Sequence, residues 1–346
     1  MLRDSISKGL VAICVGALIA GCEQATAPPS GQNLAELRPL AKHDAAPPTA
    51  ELLASGLDGP LGSAIGPDGA LYVGEAVAGR ISRVDPKTGA VTTFASGLPP
   101  SLYGPGGGGV FDVAFIGHTA YALVIGVAED LGGDDIVGIY RVDGPSSFTV
   151  VADLGAFNTA NPPETDFFIP TGVGFALEPY RHGFLVTDGH LNRVLYVTLD
   201  GEIEIVISFS DIVPTGLASK GNKVYMAQAG PVPHLPQDGK VVTFDAKKKS
   251  PTATEVASGA QLAVDVEFGH GDNLYVLSQG DFPDGSEPGT PANPNTGALM
   301  VVNKDGTLTV ITDGLNQPTS LEFIGKTAYF VTFGGEVWKI EDVPKK

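Results

Sequence analysis

The chemistry-bearing residues with the sharpest placement are two aspartates. Six short segments share one pattern, and at one position of it they carry Gly62, Asp112, Gly172, Gly216, Asp265 and Ser320. Thr171, Thr215 and Thr319 stand one residue earlier in three of the six. Carboxylates flanked by hydroxyls form an oxygen-only set, which suits a hard cation such as Ca²⁺. The competing role is structural: each aspartate accepts backbone N–H groups where the chain turns into a strand.

Two histidines are the acid–base candidates. His190 lies in Thr187-Asp188-Gly189-His190-Leu191-Asn192-Arg193, beside Asp188, and His234 lies in a long polar segment. Either imidazole could act as acid, base or ligand. His43, His118, His182 and His270 sit in the leader-proximal segment or in tight turns. Two acidic runs, Glu129/Asp130/Asp134/Asp135 and Asp281/Asp284/Glu287, lack EF-hand spacing and read as solvated loops or as cation contacts. The glycine run Gly104–Gly109 lacks the Lys-Ser/Thr of a phosphate loop, and there is no Gly-x-Ser-x-Gly elbow or His-Glu-x-x-His helix.

These residues are positioned by a repeat. Its clearest copy is Pro60–Val73: a strand, a Pro67-Asp68-Gly69 turn and a second strand. Relatives begin near Gly109, Pro170, Pro214, Ala263 and Pro318, at spacings of 49, 61, 44, 49 and 55 residues. Each is followed by a second hairpin, except that the last copy runs out of chain after Glu336–Ile340. The missing strand is available at the other end, because Ala50–Leu57 matches Phe94–Leu98 and Ile311–Leu315. The fold expected is all-β, a six-bladed β-propeller of four-stranded antiparallel blades with the N-terminal strand closing the last blade. Sharing a blade between the termini removes the open sheet edges that would template aggregation. In such a ring blades two and five face each other, so Asp112 and Asp265 would meet across the channel. Tyr72, Tyr121, Tyr225, Tyr275 and Tyr329 recur at one position of the second strand, which points to packing between blades.

Loop length sorts by face. Segments 99–108, 125–135, 156–169, 229–238 and 280–296 all open on the face of the 4–1 and 2–3 connections, while the other face has mostly short turns. Long loops on a rigid scaffold are where binding concentrates.

The chain of 346 residues carries a formal net charge of −18, which repels phosphate backbones and excludes nucleic acid as a partner. Its two cysteines, Cys14 and Cys22, both precede the repeats, so no disulfide or Cys-based zinc site can serve the propeller. Residues 1–21 read as a signal peptide: Arg3 and Lys8, then an apolar run from Leu10 to Ala20. Ile19-Ala20-Gly21-Cys22 resembles the bacterial lipobox, which implies a lipidated Cys22 and anchoring to a membrane, with Glu23 favouring the outer one. Residues 22–49 form the expected tether, 50–342 the propeller and 343–346 a tail.

The Pro60–Val73 unit and Thr187–Val194 resemble NHL and SMP-30-type propellers. The Gly104–Gly109 run followed by residues 110–124, with Leu52–Gly56 leading into blade one, is similar to the ScyD/ScyE family, named for proteins of a cyanobacterial pigment gene cluster. That resemblance covers roughly residues 50–341 and implies the propeller fold without a reaction. SMP-30-type lactonases would imply a channel metal held by a Glu and Asn/Asp ligands, whereas blade one opens with Leu61-Gly62-Ser63. The function expected is an exported, membrane-anchored binding or accessory protein of the periplasm, outer membrane or cell surface. Its loop-rich face would take a small molecule, glycan or protein. The alternative is a divalent-metal-dependent lactonase, hydrolase or isomerase at the channel.

Overall fold

A computed structural model describes residues 48–344. The expected signal peptide, Cys22 and nearly all of the expected tether lie outside them. Among the described residues no helix is long and apolar enough to cross a membrane.

The strands form six four-stranded antiparallel sheets, and five of these are built from consecutive strands. The sixth runs in the order Ala50–Ser55, Glu336–Ile340, Thr327–Thr332, Pro318–Ile324, so the N-terminal strand supplies its outer edge. Ala50 pairs with Ile340 and Ser55 with Glu336, which closes the ring.

Burial follows position in the blade. Second strands are covered on both faces by neighbouring blades, and Leu71–Glu75 and Leu274–Ser278 are buried at every residue. Outer strands meet water on their free edge; in Val91–Ser96 only Ala95 is fully buried. The recurrent tyrosines join the blades: Tyr72 meets Phe115, Tyr225 meets Phe268 and Tyr275 meets Phe323, with ring centroids 4.7 to 5.1 Å apart. Each such pair adds about 0.5–1.5 kcal/mol beyond the area it buries.

Every inner strand is bulged near its start, with register shifts at Pro60/Ser63, Val110/Asp112, Gly174/Leu177, Pro214/Leu217, Ala263/Asp265 and Pro318/Ser320. A bulge re-aims the side chains that follow it, which sets what each blade shows to the channel. One long loop differs from expectation: Leu154–Ala160 is a helix, because Asp153 caps it by accepting the Ala156 N–H at 2.8 Å. Packed chain also extends past residue 342, since Val343 is buried and donates its N–H to the Lys326 carbonyl.

Candidate functional site: the central channel

Sheet register fixes which residues share a level. Ser63, Val113, Leu177, Leu217, Val266 and Leu321 pair with equivalent second-strand residues. The preceding residues, Gly62, Asp112, Ala176, Gly216, Asp265 and Ser320, therefore form the first tier. Blade three corrects the sequence alignment: its position belongs to Ala176, and Gly172 lies four residues upstream. Residues 170–173 precede the strand, which begins at Gly174, so Thr171 stands outside the channel tier. Its hydroxyl donates to Asp130 Oδ2 at 2.7 Å, tying the acidic loop of blade two to the approach to blade three.

The two aspartates clasp blades together. Asp112 accepts Val113 N–H on Oδ1 at 2.8 Å and Leu177 N–H of the next blade on Oδ2 at 2.7 Å. Asp265 repeats this with Val266 at 2.8 Å and Leu321 at 2.7 Å. On the other side each carboxylate lies where the preceding blade has glycine: a Cβ on Gly62 would stand 2.2 Å from Asp112 Oδ1, and one on Gly216 would stand 2.1 Å from Asp265 Oδ1. The threonines are spent in the same way, Thr215 donating to the Ala263 carbonyl at 2.9 Å and Thr319 to the Leu61 carbonyl at 2.7 Å. Thr187 donates to the Thr215 carbonyl at 2.7 Å, and Ser63 and Ser320 meet at 2.8 Å. These hydrogen bonds stitch five of the six blade junctions, and at the sixth Gly62 packs directly against Asp112.

The cation expected there does not fit this arrangement. No three His, Cys, Asp or Glu side chains among the described residues are placed to share one metal ion. The residues proposed as its ligands already have protein partners: Asp112, Asp265, Thr215 and Thr319 bond backbone groups of the next blade, and Thr171 bonds Asp130.

A second tier, two residues further along each strand, comprises Ala64, Ala114, Glu178, Ala218, Glu267 and Glu322. These glutamates were not singled out from the sequence. The signal was available in Asp265-Val266-Glu267, where period-two alternation sends both carboxylates to one side. Glu178 Oε1 accepts the Ser219 N–H of the next blade at 3.0 Å.

Five carboxylates thus converge on a cavity of about 250 Å³, and none of its lining residues is Lys or Arg. Burial in this cation-free space raises every one of them: Glu178 and Asp265 to about 7, and Asp112, Glu267 and Glu322 well above their ordinary range. Repulsion among them acts in the same direction; the charges of Asp265, Asp112 and Glu178 all raise Glu322. Phe111, Phe115, Phe175 and Phe333 supply apolar wall, and His234, Gln279, Thr290 and Pro291 line the cavity from the loop-rich side.

The two histidine candidates part company. His190 is fully buried away from the channel, where its Nε2 accepts the Phe168 and Ile169 N–H groups at 2.9 Å. Burial holds it neutral, with its pKa lowered to about 4. Asp188, the other member of that motif, accepts the Val173, His190 and Leu191 N–H groups and the Asn158 amide. Arg193 completes the knot by donating to Asn158 Oδ1 at 2.8 Å and the Asn161 carbonyl at 2.6 Å. This network fastens the Leu154–Ala160 helix and the loop after it to blade three. His234, by contrast, does line the channel cavity.

The sequence matches no protein-family model, and a search of curated proteins finds no match. Among solved structures, a gluconolactonase from Xanthomonas campestris is similar with a TM-score of 0.58 at 14% identity, over 88% of this chain and 99% of that one. Catalytically inactive virginiamycin B lyase from Staphylococcus aureus, solved with quinupristin, gives 0.53 at 13% identity over 85% and 99%. The PQQ-bound aldose sugar dehydrogenase from Streptomyces coelicolor gives 0.51 at 15% over 86% and 99%. At these identities the likeness is one of fold, and it agrees with the strand pairing: the chain is a six-bladed β-propeller.

Proposed function

We propose that this is an exported, lipid-anchored binding protein that takes a small molecule into the central cavity from its loop-rich face. On its motifs we group it with the ScyD/ScyE propellers. The observation that carries the reading is the cavity itself, about 250 Å³, walled by four phenylalanines and five carboxylates and lined by long-loop residues on one side only. That volume lies a little below the about 300 Å³ at which drug-sized sites begin, so a metabolite-sized guest fits.

The test is a thermal-shift screen of small metabolites against the purified protein and an Ala64→Phe variant, whose new ring would fill the second tier. Ligands that stabilise the wild type and not the variant support the reading. Ligands, glycans or protein partners that stabilise both equally would place recognition on the outer loops and refute it.

One observation favours a second reading. Glu178 and Asp265, both near 7, offer an acid and a base together at neutral pH, which is the requirement for a metal-free lactonase, hydrolase or isomerase. Proton release from glucono-δ-lactone above the uncatalysed rate, lost in Glu178→Gln, would support it.

A further inference from the structure

Resting on that reading, the cavity also names the class of its guest. Its wall carries five carboxylates and no Lys or Arg. In a compact low-dielectric space such a set is stabilised either by protons or by a counter-cation.

His234 tells which kind of cation. Its side chain is 1% exposed and lines the same cavity, with its ring held against Phe282 at 5.0 Å. Nδ1 lies 2.7 Å from the Gly230 carbonyl, which accepts only, so Nδ1 carries the hydrogen. Nε2 is then a lone-pair acceptor, and among the described residues no donor serves it. An acceptor on a side chain that lines an acidic cavity calls for a guest that brings both positive charge and N–H hydrogens. A metal ion brings no hydrogens, and a quaternary ammonium has none on nitrogen. The phenylalanines supply an apolar surface for the remainder of the molecule and quadrupoles for its charge.

We propose that the channel binds a primary or secondary organic ammonium with an apolar body, its N–H groups shared between His234 Nε2 and the carboxylates of the glutamate tier. Among the described residues the Glu322 carboxylate accepts no hydrogen bond, in contrast to those of Glu178 and Glu267, so it is the carboxylate freest to turn to the guest. Binding strengthens as pH rises through neutrality, because the guest requires ionised partners among Asp112, Glu178, Asp265, Glu267 and Glu322, while His234 stays neutral throughout.

The experiment is isothermal titration calorimetry of the full-length protein at pH 6 and pH 8. Phenethylamine is the probe, and phenethyl alcohol, choline and CaCl₂ are the comparators. Phenethylamine is expected to bind at least tenfold more tightly than any comparator and more tightly at pH 8 than at pH 6. Glu322→Gln and His234→Phe, the latter keeping the ring on Phe282, are each expected to weaken it at least fivefold while circular dichroism stays unchanged. Equal binding of the alcohol or of choline, displacement of the amine by Ca²⁺, or variants that bind like wild type would overturn the ammonium assignment and leave the cavity reading in place. Absence of binding by every probe, neutral or charged, overturns the ammonium assignment; a screen in which no compound loses its effect in Ala64→Phe removes the cavity reading as well.

Discussion

Replacing Glu178 by Gln should make the protein more stable at high pH and leave it unchanged in acid. Burial raises this carboxyl from its ordinary 4.5 to about 7. The folded state therefore holds a proton that the unfolded chain gives up. Stability contributed by that proton is complete below pH 4.5 and is lost as pH climbs through 7. At about 1.4 kcal/mol per pH unit the loss is on the order of 3 kcal/mol. Glutamine is never ionised, and its Oε1 can still accept the Ser219 N–H. For a domain of this size about 2 °C of Tm accompanies each kcal/mol, so the variant should melt about 6 °C above wild type at pH 8. At pH 4.5 the two should coincide. Calorimetric melts across pH 4.5 to 8.5 provide the measurement, with Glu204→Gln on an exposed outer strand as control for the general acidity of the molecule. Equal melting temperatures at pH 8, or a gain that persists at pH 4.5, would refute the account of the buried carboxyl.

The blade clasps give further predictions. Asp112→Asn leaves one of two backbone N–H groups facing an amide donor and should cost about 1–3 kcal/mol in urea unfolding. Gly62→Ala should cost a similar about 1–3 kcal/mol by forcing Asp112 from its place, and the two changes should be non-additive in a double-mutant cycle. Truncation before Gly56 removes the strand paired with Glu336–Ile340 and should abolish cooperative melting, whereas truncation before Pro48 should not. His190→Phe strips the acceptor from two backbone N–H groups and should increase proteolysis within residues 161–169 before it changes the melting temperature.

How much of this could be read from the sequence follows from what each feature depends on. The blades, the closing strand and the one-sided loops rest on hairpin turns and strand alternation, which are local, and Ala50–Leu57 was recognisable because it copies Phe94–Leu98. The channel tiers depend on the bulge, a single extra residue whose position alternation alone does not reveal. In blade three the Thr171-Gly172 pair imitates Thr215-Gly216 closely enough to draw the alignment four residues off. The glutamates went uncounted for the same reason, since Glu178, Glu267 and Glu322 share a level only once that register is known. His190 looked like a reactive group because its partners are backbone N–H groups of a loop remote in sequence.

The closing strand also settles how the molecule bears load. Ala50–Ser55 begins at the rim of the short-turn face and runs toward the face of the long loops. A pull on whatever precedes Ala50, directed away from the short-turn face, acts along the strand. Its hydrogen bonds to Glu336–Ile340 lie across that direction. They are therefore strained together in shear instead of opening one after another like a zipper. A domain tugged from this end resists as a unit, with its long loops directed away from the pull.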